Sequence, residues 1–417
     1  MERYNYKGKE IIGIDHGFGN IKCRHVAFRS GVRAYDSEPP MTADVLIFGG
    51  KYYVVGEEHK GFVSDKSQDE DYYILTVAAL ARELEFRHIT ECEAVLAVGL
   101  PIQWIGAQKE SFRKYLMRNE LIEFRYNEQD YLVRIDDVQI FPQGFAGVVQ
   151  RLGDFKGLNV LADIGNGTMN TLMLKDGKPM LSRCYTDKLG VEQCIIRMSN
   201  ELLAVSGHAM PYDVCEDFLR KGNAELPEKY TAVMQRAAEE YSDSIIAKLR
   251  EYEFNPEIMR LTVMGGGACI LKHFWSGNDN RIRYIEDICA TAKGYELLAL
   301  NNLKRRDEGC NMRKSEKTFL LRFDLSRKTD REIWEWLHEK SESQTLSMNA
   351  FLIEGLRKLM AQEANEKPLD AHALAEEICR ELRAQRLFVP TEGESPESTI
   401  EAEDEIPADI LDFANSF

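Results

Sequence analysis

Two aspartates head the same short device in this 417-residue sequence, and the chemistry available to each is contact with a magnesium-bound polyphosphate. The first device is Asp15-His16-Gly17-Phe18-Gly19-Asn20-Ile21-Lys22, and the second is Asp163-Ile164-Gly165-Asn166-Gly167-Thr168-Met169-Asn170. Glycines in a turn between strands let backbone N–H groups approach phosphate oxygens where a Cβ would block them. Lys22 adds a positive charge, and an aspartate at that point can hold hydrated Mg²⁺. A third cluster, Gly265-Gly266-Gly267, follows the strand-like run Arg260 to Met264 and opens a helix. Its bare backbone leaves room for an adenine ring and its phosphates to lie flat.

These turns need strands to hold them. Ile11-Ile12-Gly13-Ile14 reads as a buried strand, with Ile21 to Val26 as its neighbour across a tight turn. Ala94 to Val98 is another strand, stopped by Gly99 and Pro101, and Leu158 to Ala162 with Thr171 to Leu174 repeats the N-terminal strand–turn–strand pattern. Helical stretches lie between them: Tyr73 to Arg87, Gln108 to Met117 and Lys229 to Tyr252. The alternation up to about residue 308 is that of an α/β fold. The recurrence of one unit in each half implies an internal duplication, with two similar subdomains facing each other over a cleft.

The three glycine clusters, taken in order, resemble the phosphate-1, phosphate-2 and adenosine motifs of the superfamily that unites actins, sugar kinases and heat-shock chaperones. Phe141-Pro142-Gln143-Gly144-Phe145-Ala146-Gly147 looks like its first connecting helix, and Ala290-Thr291-Ala292-Lys293-Gly294-Tyr295 like its second. Within that superfamily, IIGIDHGFGNIK and AVGLPIQW are most similar to the ParM/StbA-like plasmid-segregation actins, over roughly residues 9–303. The resemblance implies an actin-like ATPase fold that binds ATP with Mg²⁺. It assigns Asp15 and Asp163 to the shell of water around the metal and to the in-line water. Gly17, Gly19, Asn20, Lys22, Gly165, Asn166, Gly167 and Thr168 would grip phosphates, and Gly265, Gly266, Gly267 and Gly294 would seat the nucleoside side. Gln143 stands where relatives orient the attacking water; phosphoryl transfer needs positioning and charge neutralisation more than a strong base. Phe18 and Asn166 depart from the family, which often places Ser or Thr at the first position and an acidic residue at the second.

By this reading residues 9–157 form subdomain I, with 288–303 returning to it, and 158–287 form subdomain II. Lys304 to Lys317, charged and poor in apolar residues, reads as a linker. Beyond it come an alternating strand, Thr318 to Leu325, and two short helices, Asp330 to Lys340 and Met348 to Met360. This 318–362 segment resembles the ribbon-helix-helix fold, a β-α-α module that dimerises through paired strands. The resemblance implies DNA readout by Lys317, Thr318 and Arg322, with Ser347 and Asn349 at the start of the second helix near a phosphate. A module that only dimerises or recruits protein cargo is the competing reading. A further helix is expected within 363–390 and an acidic, disordered tail over 391–417.

The net charge is −16, yet nine acidic residues and no basic one fall in the tail, so the rest of the chain carries −7. Arg313 to Arg331 holds seven basic residues against three acidic, and local charge decides where a phosphate backbone can dock. The nine cysteines are scattered singly with no CxxC pair, which argues against a zinc site and for reduced thiols in a cytoplasmic protein. No apolar run approaches the ~20 residues of a membrane helix, and the polar N-terminus lacks a signal-peptide core. The expected function is an ATPase that polymerises with itself and segregates plasmid or other mobile DNA. The alternatives are a cytoskeletal filament without DNA binding and a non-polymerising small-molecule kinase. The last segment, Ile406 to Phe417, places Ile410, Leu411, Phe413 and Phe417 among acids and reads either as a helix that docks in a groove or as a solvated tail.

Overall fold

The apolar runs at Ile11–Ile14 and Ala94–Val98 lie side by side in the middle of a ten-stranded sheet. Its strands are β1 (Asn5–Tyr6), β2 (Lys9–His16), β3 (Asn20–Lys22), β4 (Ala27–Arg29), β5 (Val32–Tyr35), β6 (Val45–Phe48), β7 (Lys51–Val55), β8 (Glu91–Leu100), β9 (Leu121–Tyr126) and β10 (Gln129–Pro142). They run in the order β4-β3-β2-β8-β10-β9-β6-β7-β5, and β1 pairs with β2. β2, β8 and β10 are mutually parallel; β2 and β8 are covered on both faces where they pair, so they carry unbroken apolar stretches there rather than alternation. Two helices, α1 (Glu70–Arg87) and α2 (Ile102–Leu116), pack their apolar faces into the same core.

The second sheet has five strands in the order β13-β12-β11-β14-β15, where β11 is Leu158–Ile164, β12 Met169–Lys175, β13 Lys178–Asp187, β14 Arg260–Met264 and β15 Ile282–Tyr284. Its core is closed by α3 (Val191–Ser206), α4 (Tyr212–Lys221), α5 (Glu228–Glu251) and α6 (Ala268–Phe274). Two segments pass between the subdomains. One is a 3₁₀ helix, Phe145–Asp154, which follows β10; the other is α7 (Ala290–Ser315), which returns from β15. A third apolar cluster joins Phe145, Val148 and Val149 to Leu161 and Leu172 of the second sheet, to Tyr295 and Leu298 of α7, and to the C-terminal helix α8 (Ala408–Asn415).

This computed structural model describes residues 3–40, 44–57, 65–277, 280–315 and 406–415, with isolated positions between 328 and 335. Residues 1–310 together with 401–417 form one compact unit, and 311–400 a second. The expected module at 318–362, the expected helix within 363–390 and the named positions Lys317, Thr318, Arg322, Ser347 and Asn349 lie outside the described residues.

Several expectations need correction. The single strand foreseen at Ile21 to Val26 is broken after Lys22, where the Cys23 N–H donates to the Val26 carbonyl at 2.8 Å and the chain restarts as β4. Phe141 and Pro142 belong to β10, and the first connection becomes helical only at Phe145, after Gly144 turns the chain with φ of +84°. The linker foreseen from Lys304 is helix as far as Ser315. Lys and Arg are good helix formers, and Arg306 is anchored on Asp137 at 3.0 Å. The tail is not disordered over its last part: Ile406, Ile410, Leu411, Phe413 and Ala414 are buried, while Asp412 faces outward. Apolar residues at that helical spacing give α8 one face that must be covered.

Candidate nucleotide cleft

The duplication seen in the sequence is a duplication of register. Asp15 pairs across its hairpin with Lys22, and Asp163 pairs across its hairpin with Asn170. Both turns line one cavity of about 530 Å³ between the two subdomains. Asp15, Gly17, Gly19, Asn20 and Lys22 enter from the first sheet, and Asp163, Gly165, Asn166 and Thr168 from the second. The turns are pressed together: a Cβ on Gly19 would come within 2.7 Å of the Asn166 side chain. Gln143 reaches the cavity from the end of β10, next to the hinge turn at Gly144.

Asp15 is held from two sides. Gln143 donates from Nε2 to Oδ1 at 2.8 Å, and Lys22 donates from Nζ to Oδ2 at 3.3 Å. Asp163 lies behind them, buried, and its carboxyl is pushed up to about 6, first by burial and then by the charge of Asp15, against the pull of Lys22. For Lys22 burial works to lower its pKa, but the carboxylates of Asp15 and Asp163 outweigh it and raise it. Two acids and one ammonium thus share a small desolvated space, an arrangement that favours a further cation. Among the described residues no group of three or more His, Cys, Asp or Glu side chains is placed to hold a metal by itself.

The third glycine cluster divides in two. Gly265 has φ of +85°, and a Cβ there would strike the Ile164 carbonyl at 2.5 Å and Asp163 Oδ1 at 2.7 Å. Gly266 has open space on that side and lines the cavity. Three residues expected at the ligand sit behind its wall instead. Gly267 packs on Ile164, Gly294 packs on the Ala146 carbonyl where the two connections cross, and Gly167 lies beneath Gly190. The small size of Gly267, Gly294 and Gly190 serves close backbone approach.

Other residues that line the cavity had been given no role. Asn170, the last residue of the second device, is the register mate of Asp163 as Lys22 is of Asp15, so aligning the two turns would have singled it out. Arg29, Glu216, Leu219, Arg220, Cys269 and Lys272 complete the wall from β4, α4 and α6. Arg29 closes the mouth, its guanidinium 2.9 Å from Asp213 and 2.8 Å from Glu216 on the opposite subdomain. Lys66 supports the first turn from below. It donates to the His16 carbonyl, lies 4.9 Å from the centre of the Phe18 ring, and is lowered to about 8 by burial. Phe18, which departs from the family, thus forms part of a buried cation–π contact.

Comparison with known proteins bears on this arrangement. The model of the actin-like proteins' N-terminal domain matches residues 13–145, and that of the archaeal actin homologue, MreB-like C-terminal domain matches 161–276. The chain has the actin-like fold. Among solved structures, this actin-like chain superposes on an archaeal actin homologue in complex with ADP with a TM-score of 0.55 and 21% identity, over 69% of this chain and 97% of that one. It superposes on a ParM of Clostridium botulinum, solved as a 15-stranded filament, with a TM-score of 0.57 and 18% identity, over 69% and 98% of the two chains. A Bacillus thuringiensis ParM with ATP gives 0.53 and 13%, over 72% and 100%. A search of curated protein sequences finds no match. Among the described residues no helix is long and apolar enough to cross a membrane.

Proposed function

We propose that this actin-like protein binds ATP with Mg²⁺ in the cleft, hydrolyses it, and uses the cycle to assemble and disassemble filaments of itself. The observation that carries the reading is the Gln143–Asp15–Lys22 chain of hydrogen bonds at the foot of the cavity, with Asp163 opposite. The cavity lies within the range of small-molecule sites, about 300–1,000 Å³. Its glycine turns and Lys22 suit phosphates, and the open backbone at Gly266 with Leu219, Cys269 and Tyr284 suits a flat ring. The carboxylates suit a magnesium ion held through water and phosphate oxygens rather than by a protein cage. Magnesium, when bound, would neutralise charge on the phosphates. Lys22 adds its own positive charge there. Gln143 donates to Asp15 through its nitrogen and so keeps its carbonyl oxygen to accept a hydrogen from the attacking water. Asp15 fixes that amide in place.

Filament formation is supported by the shared fold with the ParM of Clostridium botulinum. Segregation of plasmid or other mobile DNA, through Lys317, Thr318, Arg322, Ser347 and Asn349, rests on the sequence resemblance of the 318–362 segment. The test is sedimentation of the purified chain with Mg²⁺ and ATP, ADP or no nucleotide, followed by electron microscopy. Filaments that depend on ATP are expected; binding of ATP with no polymer under any nucleotide would favour a soluble kinase-like enzyme. DNA binding that loses part of its salt dependence in Arg322→Ala would support the segregation reading, and its absence would leave a filament with a dimerising or cargo-recruiting module.

A further inference from the structure

The last helix of the chain is seated in a groove on the hinge between the two subdomains. Ile406, Ile410, Leu411, Phe413 and Ala414 join the apolar cluster that also holds Phe145, Leu297 and Leu300. The Phe413 ring meets Phe145 edge-on with centroids 4.9 Å apart. Polar contacts fix both ends. The Ile406 N–H donates to Asn301 Oδ1 at 3.0 Å, Arg305 pairs with Asp412, and the Asn302 and Asn415 amides exchange hydrogen bonds at 2.9 and 2.7 Å. Asn302 also donates to Gln139 of β10 at 3.1 Å.

We infer that Ile406–Asn415 is a releasable latch, a tethered helical ligand of this groove whose binding is coupled to the state of the cleft. The latch touches the two connections that cross between the subdomains, and both reach the site. Phe145 is two residues from Gln143, which holds Asp15, and the intervening Gly144 lies against Asp163. α7 carries Glu296, which accepts from the Gly13 N–H at 3.0 Å and so ties the strand that bears Asp15 to the same helix. A change in the angle between subdomains must shift β10, the 3₁₀ helix and α7 relative to one another, and the groove is made of those three. The latch itself is short. Ordering about ten residues costs an entropy of the same order as the burial of a few apolar side chains returns. It therefore exchanges between docked and free states, at the high effective concentration that tethering gives. Coupling of this kind is reciprocal: nucleotide changes the affinity of the latch, and the latch changes the affinity for nucleotide by the same factor.

The nucleotide arm rests on the proposed function; the groove and its occupant do not. The test uses the full chain with Phe413→Asp and Ile410→Asp, which frees the groove, and a fluorescein-labelled peptide of residues 401–417. The variant is expected to bind the peptide at least about tenfold more tightly than wild type, whose groove is already filled. Peptide affinity should differ about fivefold or more between Mg²⁺–ATPγS and no nucleotide, and latch release should shift nucleotide affinity by a matching factor. No peptide binding by a variant that still binds nucleotide would overturn the latch, and equal affinity in every nucleotide state would overturn the coupling. If neither protein binds nucleotide while the peptide binds, the proposed function fails and the groove stands. Hydrogen exchange of the wild-type chain gives a check that needs no variant. Residues 406–415 should exchange well before Phe145–Asp154 and α7, and exchange as slow as theirs would make the helix a fixed part of the core.

Discussion

Replacing Asp163 by Asn is expected to stabilise the nucleotide-free protein while ending its turnover. Burial first, and then the charge of Asp15, hold the Asp163 carboxyl at about 6 against an ordinary value of 3.8. At about 1.4 kcal/mol per pH unit, keeping this group ionised inside the fold costs about 3 kcal/mol above pH 6. An amide removes that cost, but it also takes from Lys22 one of the two carboxylates that raise it. The net gain expected is therefore about 1–2 kcal/mol, or a few degrees in Tm. The sign in pH follows from proton binding. The folded state binds the Asp163 proton more tightly than the unfolded state, so this group's contribution is fully present below 3.8 and is lost as pH rises through about 6. The advantage of Asp163→Asn should thus be largest near pH 8 and vanish near pH 4. Thermal unfolding of both proteins without nucleotide, across that range, measures it. A variant no more stable than wild type at about pH 8, or a gap that ignores pH, would refute the electrostatic reasoning.

Four further substitutions separate the parts of the cleft and of its support. Gly19→Ala and Gly266→Ala add the same methyl in opposite circumstances, one against Asn166 at 2.7 Å and the other into open cavity. The first should lower both stability and nucleotide affinity, the second affinity alone, as calorimetric titration beside thermal melts will show. Arg29→Ala removes the contacts to Asp213 and Glu216 across the mouth. These pairs are partly exposed, so stability should change by less than about 1 kcal/mol, while stopped-flow release of a fluorescent nucleotide should quicken several-fold. Glu296→Ala leaves Arg24 and Arg87 without a shared buried partner, and the Gly13 N–H without its acceptor. Denaturant unfolding should show a loss of about 3–5 kcal/mol; a loss below about 1 kcal/mol would mean that water replaces the carboxylate.

The strands and turns of the cleft were legible in the sequence because they are constrained locally. A run such as Ile11–Ile14 must be apolar throughout when both faces of its sheet are covered, and Gly19 and Gly265 must be glycine because backbone or side chain stands where a Cβ would be. The recurrence of one strand–Asp–Gly-x-Gly–strand unit in each half was equally legible, and the structure makes it a shared register, Asp15 with Lys22 and Asp163 with Asn170. Residues whose role depends on the far side of the cleft left no such trace. Arg29 is an ordinary arginine on a short strand until α4 brings Asp213 and Glu216 opposite it. Gly267 and Gly294 look like ligand glycines in their motifs, yet their neighbours are other parts of the backbone and core. The C-terminal segment was legible only as two alternatives. Its acidic composition suggested solvation and its apolar residues a docking helix; the second holds, in a groove built by segments more than a hundred positions earlier.

The most direct measurement for the central claim is phosphate release, recorded together with pelleting, for wild type and Gln143→Ala in Mg²⁺–ATP. Both proteins are expected to bind ATP, and wild type to hydrolyse it as filaments form. Gln143→Ala should lose about 10²-fold or more in turnover, since it removes the residue proposed to orient water beside Asp15. Its filaments should then outlast those of wild type. Turnover unchanged in the variant, or no ATP binding by the wild-type chain, would contradict it.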